Sequence, residues 1–255
     1  MIYITGDTHA EFSRFTTKRF PDQREMTRDD FVIICGDFGG VWYDNSMERY
    51  NLKQLARRNP TFLFADGNHE CFDRLYSDEF PIVDFHGGKA HKIRENIYHL
   101  MRGYVYELEG KTVFVFGGAQ SHDIQDGIID PADYPSLKEA IKDYNFRTFH
   151  LGEMLRIKGL SWWERELPTQ EEMDRGIENL KRHDFKVDYV ISHCCPTFVA
   201  TLLGFKNPDK LTDYFQSLIF DHGLGFKEWH FGHYHRDVRV NREFFLHYER
   251  IERLL

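Results

Sequence analysis

Residues 61–70, TFLFADGNHE, run from an apolar strand straight into a polar turn, and this form sets the reading of the chain. It occurs twice upstream. MIYITG (1–6) delivers Asp7 and His9, and DFVIIC (30–35) ends on Gly36-Asp37. Between the second and third runs lies SMERYNLKQLARRN (46–59). Its apolar positions Met47, Tyr50, Leu52, Leu55 and Ala56 predict one helical face, and Pro60 stops the helix. Strand, helix, strand predicts parallel strands joined by crossovers.

The texture changes from 80 to 118. NIYHLM, GYVYELEG and KTVFVFGG read as strands between tight turns, with a hairpin at Glu109-Gly110. This predicts an antiparallel stretch forming a second sheet. Residues 119–168 are the least regular, with Asp123, Asp126, Asp130, Pro131, Asp133 and Pro135 ahead of a helix and SWWERELP. They read as a lid or insertion within a single domain spanning 1–255. TQEEMDRGIENLKRH (169–183) is a helix with a capping box, Thr169 and Glu172. VDYVIS (187–192) is a buried strand ending at His193. LTDYFQSLIFDHG is a helix ending near Gly223. EWHFG leads into Gly232-His233-Tyr234-His235.

With 255 residues, 41% hydrophobic and 16% aromatic, the chain builds a core without disulfides, and global disorder is excluded. The formal charge, 33 − 41 = −8, argues against binding long duplex nucleic acid. Cys35, Cys71, Cys194 and Cys195 form no CxxC pair, so they read as reduced thiols in a cytoplasmic protein rather than a zinc site. No apolar run reaches the roughly 18–20 residues of a membrane span, and MIYITGDTH does not read as a signal peptide.

Five apolar strands thus end in GDTH (6–9), GD (36–37), GNHE (67–70), SH (192–193) and GHYH (232–235). Strand ends of α/β folds converge on one crevice. The residues delivered there are Asp7, His9, Asp37, Asn68, His69, His193, His233 and His235. Oxygen and imidazole donors without thiolate suit Mn²⁺, Fe or Zn²⁺. Two carboxylates, an amide and four imidazoles are too many for one ion and suit two. Singly, each motif has a plain reading as a turn, a helix cap or surface histidines. Five in order, each at a strand end, do not follow from turn chemistry.

These motifs resemble the calcineurin-like metallophosphoesterases over residues 6–235. The resemblance implies an α/β (α+β mixed) fold with two mixed β-sheets packed face to face and flanked by helices. It implies that Asp7, His9 and His235 hold a first divalent ion, and Asn68, His193 and His233 a second. Asp37 would bridge the two, with Mn²⁺ favoured over Fe or Zn²⁺. His69 would be a catalytic non-ligand beside the substrate. The implied activity is dinuclear, metal-dependent hydrolysis of a phosphodiester or phosphomonoester. In it a hydroxide bridging ions about 3.5–4 Å apart attacks a small or nucleotide-like substrate. His69 would protonate the leaving group or stabilise phosphoryl charge.

One departure matters. Where protein phosphatases of this family carry GDxxDRG, this chain has GDFGGVW, with Gly40 and Val41 at the Asp and Arg positions. This argues against a protein phosphatase and favours diester or broad specificity. It leaves Asp66, Glu70 and Asp44 as candidates to orient His69. Arg14 and Arg74 become candidate phosphate contacts, each with the alternative of a surface arginine. His122, in FGGAQSHD (116–123), is a candidate substrate contact or a loop histidine. Trp42, Trp162 and Trp163 suit base stacking or core packing. Two further classes share the motifs: a nuclease or nucleic-acid end-processing phosphatase, and a catalytically silent protein-interaction scaffold. An intact ligand set together with His69 favours catalysis.

Overall fold

The computed structural model describes residues 1–255. In chain order the strands are β1 (Ile2–Thr5), β2 (Phe31–Ile34), β3 (Thr61–Phe64), β4 (Ile82–Phe85), β5 (Gly88–Arg94), β6 (Ile97–Leu100), β7 (Tyr104–Leu108) and β8 (Lys111–Phe116). They continue as β9 (Ile128–Ile129), β10 (Arg156–Ile157), β11 (Tyr189–Ser192), β12 (Glu228–Phe231), β13 (Val238–Arg239), β14 (Phe244–Leu246) and β15 (Glu252–Arg253). The helices are α1 (Ser46–Ala56), α2 (Phe72–Leu75), α3 (Leu137–Leu151), α4 (Gln170–Arg182), α5 (Thr197–Leu202) and α6 (Lys210–Phe220).

IYIT, FVII and TFLF are buried at every position, the pattern of central parallel strands covered on both faces. They lie in a seven-stranded sheet of order β15-β1-β2-β3-β6-β5-β4. A six-stranded sheet has the order β13-β14-β12-β11-β8-β7. Its β8, β11, β12 and β14 run parallel, as do β1, β2, β3 and β6 of the first.

The two sheets pack face to face. Ile2, Ile4, Ile33 and Leu63 from one meet Val113, Val115 and Ile191 from the other in a common core. On the outer face of the first sheet, Val32, Ile34, Phe62 and Phe64 pack against Leu52 and Leu55 of α1. Outside the second, Phe114, Phe116 and Trp229 pack against Leu180 of α4, Val199 of α5 and Phe215 of α6. Burying two apolar faces per sheet requires these four layers. The mixed α/β expectation therefore holds.

The stretch 80–118 is not one sheet. β5 runs antiparallel to both β4 and β6, but β6 pairs parallel with β3 and so extends the first sheet. Only β7 and β8 enter the second. Period-2 apolar patterning identifies strands without saying which ladder edge they complete, and β3 had an open edge. The hairpin is where expected, with Glu109 and Gly110 both at positive φ, 51° and 70°.

Helix α1 also differs from its predicted face. Leu52, Leu55 and Ala56 are buried, whereas Met47 and Tyr50 are 64% and 58% exposed. At 3.6 residues per turn Tyr50 lies about 200° from Leu52, on the opposite side. The α4 capping box between Thr169 and Glu172 forms as read. All four cysteines are free. No helix is long and apolar enough to cross a membrane.

Residues 119–168 carry the two-stranded β9–β10 ribbon and α3. Ile129, Ala140, Leu155 and Ile157 give this segment a small core of its own.

Candidate metal centre

Parallel strands place their C-terminal ends on one edge. Asp7 and His9 follow β1, Asp37 follows β2, and Asn68 and His69 follow β3. His193 follows β11, while His233 and His235 follow β12. The turns interlock across the two sheets. The His233 N–H donates to Asp7 Oδ1 (3.1 Å), His193 Nδ1 donates to the Cys35 carbonyl (2.7 Å), and the His69 N–H donates to Asp37 Oδ1 (2.7 Å).

The motif glycines answer to this crowding. A Cβ on Gly36 would fall on the His193 ring, and one on Gly67 on the Asp37 carboxylate. His9, Asp37, His233 and His235 all have left-handed φ, between 45° and 71°. Such a conformation costs roughly 1–3 kcal/mol per non-glycine residue and persists only where surroundings impose it.

Four of the seven candidate ligands make one compact cluster, and the other three lie near it. Asp7, His9, Asp37 and His235 each offer an atom such that all lie within 4.8 Å of one another. His235 Nε2 is 3.2 Å from Asp7 Oδ2 and 3.2 Å from His9 Nε2. On the other side of Asp37, His193 Nε2 lies 3.3 Å from Asp37 Oδ1 and 3.3 Å from Asn68 Oδ1. The His233 ring stands 5.0 Å from that of His193. Asp37 thus belongs to the four-residue cluster and also contacts His193.

The electrostatics suit cations. Asp7 and Asp37 are 0% and 1% exposed, and Asp7 Oδ2 faces the rings of His235 (3.2 Å) and His9 (3.9 Å). Burial opposes ionisation of Asp37, but His193, His69 and His9 outweigh it and hold the carboxyl well below its usual range. Burial likewise lowers His193, yet Asp37 and Asp7 push it up to about 10. Burial pulls His9 and His233 down despite the carboxylates, leaving neutral imidazoles fit to ligate. Two buried carboxylates and the neutral imidazoles of His9 and His233, gathered at one point, form a donor set that suits a divalent ion.

His69 stands beside the cluster, its ring 5.0 Å from that of His9. None of the three acids considered for it touches its ring. Asp66 accepts from His99 Nε2 (3.0 Å) and Arg102, Glu70 accepts from the Phe38 and Gly39 N–H groups, and Asp44 pairs with Arg49. Instead Arg156 Nη2 lies 3.2 Å from His69 Nε2, brought there by the β10 ribbon. Arg14 is taken up by backbone, donating to the Asp7 and Tyr248 carbonyls. Arg74 pairs with Glu48 and Glu79. Neither is presented to the centre.

His122 stacks on His233, centroids 4.2 Å apart, within a pocket of about 420 Å³ that Phe205 and Tyr234 also line. Trp163 is buried, donates Nε1–H to Asp73 and meets Trp42 edge-on, so these two tryptophans pack together. Sequence reading missed Arg156 and Ser121, whose Oγ accepts from Asn68 Nδ2 (3.3 Å). The available sign for Arg156 was a basic residue between Leu155 and Ile157, all three buried.

A crevice of carboxylates and imidazoles at the strand ends of a double-sheet sandwich defines a metal-dependent hydrolase class. Residues 1–237 match the calcineurin-like phosphoesterases, and the chain belongs to that family. Lariat debranching enzyme A of Xenopus laevis is 25% identical over 174 residues, covering 62% of this chain and 30% of that protein. The chain thus matches under a third of that relative's length. Among solved structures, phosphopantetheinyl hydrolase of Mycobacterium tuberculosis is 16% identical with a TM-score of 0.45, over 97% of this chain and 89% of that one. A putative 5′-nucleotidase of Staphylococcus aureus, solved with α-ketoglutarate, is 15% identical with a TM-score of 0.44, over 97% and 48%.

Proposed function

We propose that this chain is a phosphoesterase that uses two divalent ions to hydrolyse a small, nucleotide-like phosphate ester. The observation that supports this reading is Asp37, a buried carboxylate that clusters with Asp7, His9 and His235 and also lies 3.3 Å from His193 Nε2. Asp7, His9 and His235 would hold one ion, and Asn68, His193 and His233 the other. When bound, the ions supply a water nucleophile at neutral pH and offset charge on the phosphoryl group.

The chain's own residues do the rest. Asp37 sets the spacing of the two sets and is itself fixed by the His69 N–H. His193 is oriented by its bond to the Cys35 carbonyl, a second contact of the kind that fixes a ligating imidazole. His69, beside the cluster, would donate to the leaving oxygen. Residues 119–168 wall the crevice as a lid, through Ser121 and Arg156. A second reading, cleavage at a nucleic-acid branch or end, is favoured by the name of the Xenopus relative.

The test is hydrolysis of p-nitrophenyl phosphate and bis-p-nitrophenyl phosphate by chelator-treated protein, with Mn²⁺, Zn²⁺, Fe²⁺ or Mg²⁺ returned singly. Turnover restored by metal, with two ions per chain, is expected. Two bound ions with no turnover on either ester would favour the scaffold.

A further inference from the structure

The crevice holds a cation that none of the family motifs supplies. Arg156 is only 9% exposed. Its Nε donates to Asp123 Oδ1 (2.7 Å) and its Nη1 to the Ser161 carbonyl (2.9 Å). These two bonds fix the plane of the guanidinium and aim Nη2 at His69 Nε2. Ser161 is in turn held, its Oγ accepting from the Ile157 N–H (2.9 Å). The fork is therefore set before any ligand arrives.

Its charge is poorly matched by protein. Asp123, its ion-pair partner, is half exposed. Glu166, on the same segment, is 1% exposed with one oxygen unpartnered, and burial pushes it up to about 8, so it is largely neutral at pH 7. With Nε on a half-exposed carboxylate and Nη2 facing an imidazole, this nearly buried guanidinium has capacity for an incoming anion on its crevice side.

We propose that Arg156, held by Asp123 and Ser161, forms with His69 a subsite for a phosphoryl oxygen and makes the centre prefer a terminal phosphate monoester over a diester. The proposal rests on the phosphoesterase reading above and narrows its substrate. The physical reason is charge. Near and above pH 7 a monoester carries close to two negative charges and a diester one, and attraction to a fixed cation scales with that charge. Arg156 would thus perform, from a segment remote in sequence, the phosphate-gripping task for which GDFGGVW has no arginine. It reverses the lean towards diesters that the missing extension suggested.

The experiment compares wild type, Arg156→Met and Arg156→Lys, each Mn²⁺-loaded with metal content measured. Binding of inorganic phosphate is followed by calorimetry, and kcat and KM are measured on p-nitrophenyl phosphate and its bis ester. In Arg156→Met, phosphate affinity is expected to fall roughly 10- to 100-fold, as for loss of a charged hydrogen bond. KM for the monoester should rise more than kcat falls. The diester should lose less, shifting the ratio of kcat/KM values about tenfold towards it. Arg156→Lys keeps the charge without the fork and should be intermediate.

Unchanged phosphate affinity, or equal losses on both esters, would overturn the proposal and leave Arg156 as packing. If Arg156→Met misfolds or loses metal, Arg156→Lys decides, since wild-type phosphate affinity in it sinks the idea. If wild type cleaves neither ester, the phosphoesterase reading is what fails. Phosphate binding that is weakened in the variants still supports the subsite, and binding that is indifferent to them still rejects it.

Discussion

The strand-end centre and the segment 119–168 meet at His69 but are built differently. Every candidate metal ligand follows a fully or largely buried strand of a parallel ladder, between cores that span both sheets. The segment rests on a two-stranded ribbon and a four-residue core. Polar contacts join it to the body, from Arg156 to His69 and from Ser121 to Asn68. A rigid scaffold holds the candidate ligands, and a lighter element brings Arg156 and Ser121 against them. Damage to the two regions should therefore read out differently.

The largest effect should come from the centre. Asp37→Asn removes the shared anion. Metal content is expected to fall below two ions per chain, and turnover to drop by more than the ~100-fold upper range seen for loss of an outer-sphere partner. Normal metal content with near-normal turnover would remove Asp37 from the bridge.

Next is His69→Ala, at the junction. Two ions should remain while kcat falls roughly 100- to 10,000-fold, the range for a positioned acid–base group. Loss of both ions would make His69 a ligand and merge the two regions into one.

Leu155→Ala then probes the segment alone. Truncating one of four core side chains costs about 2–5 kcal/mol there, enough to loosen the ribbon. Limited proteolysis should cut within 119–168, KM should rise, and two ions should stay bound. Loss of metal in parallel would show that the segment supports the scaffold rather than resting on it.

The last effect lies in the scaffold itself and is the smallest at neutral pH, where it vanishes. His247 faces His230 (2.9 Å) and Glu252, and burial together with His230 lowers it to about 3. The unfolded chain, with an ordinary histidine near 6.5, binds a proton that the folded one refuses between those values. Stability should fall as pH drops from about 6.5 towards 3, by up to about 1.4 kcal/mol per unit. His247→Gln should flatten that slope in urea denaturation, without altering proteolysis of the segment at neutral pH.

Much of the centre was legible in the chain because a strand and the turn after it are local. TFLFADGNHE shows both the buried ladder and the residues at its end. Arg156 was not legible, because 87 residues separate it from His69 and only the folding of the ribbon onto the crevice joins them. The same holds for Arg14 and Arg74. Their positions just past motifs suggested phosphate contacts, whereas the nearest acceptors in space are carbonyls for one and Glu48 and Glu79 for the other.

Local order thus accounts for the parallel strands, the motifs at their ends, the hairpin at Glu109-Gly110 and the donor chemistry. Each depends on residues within a few positions of one another, where periodicity and turn geometry operate. Packing in space decided that β6 completes the first sheet, that Tyr50 faces outward, and which arginine stands beside His69. Those outcomes depend on which ladder edge is open and which charge lacks a partner, and both are set only when distant segments compete for the same contacts.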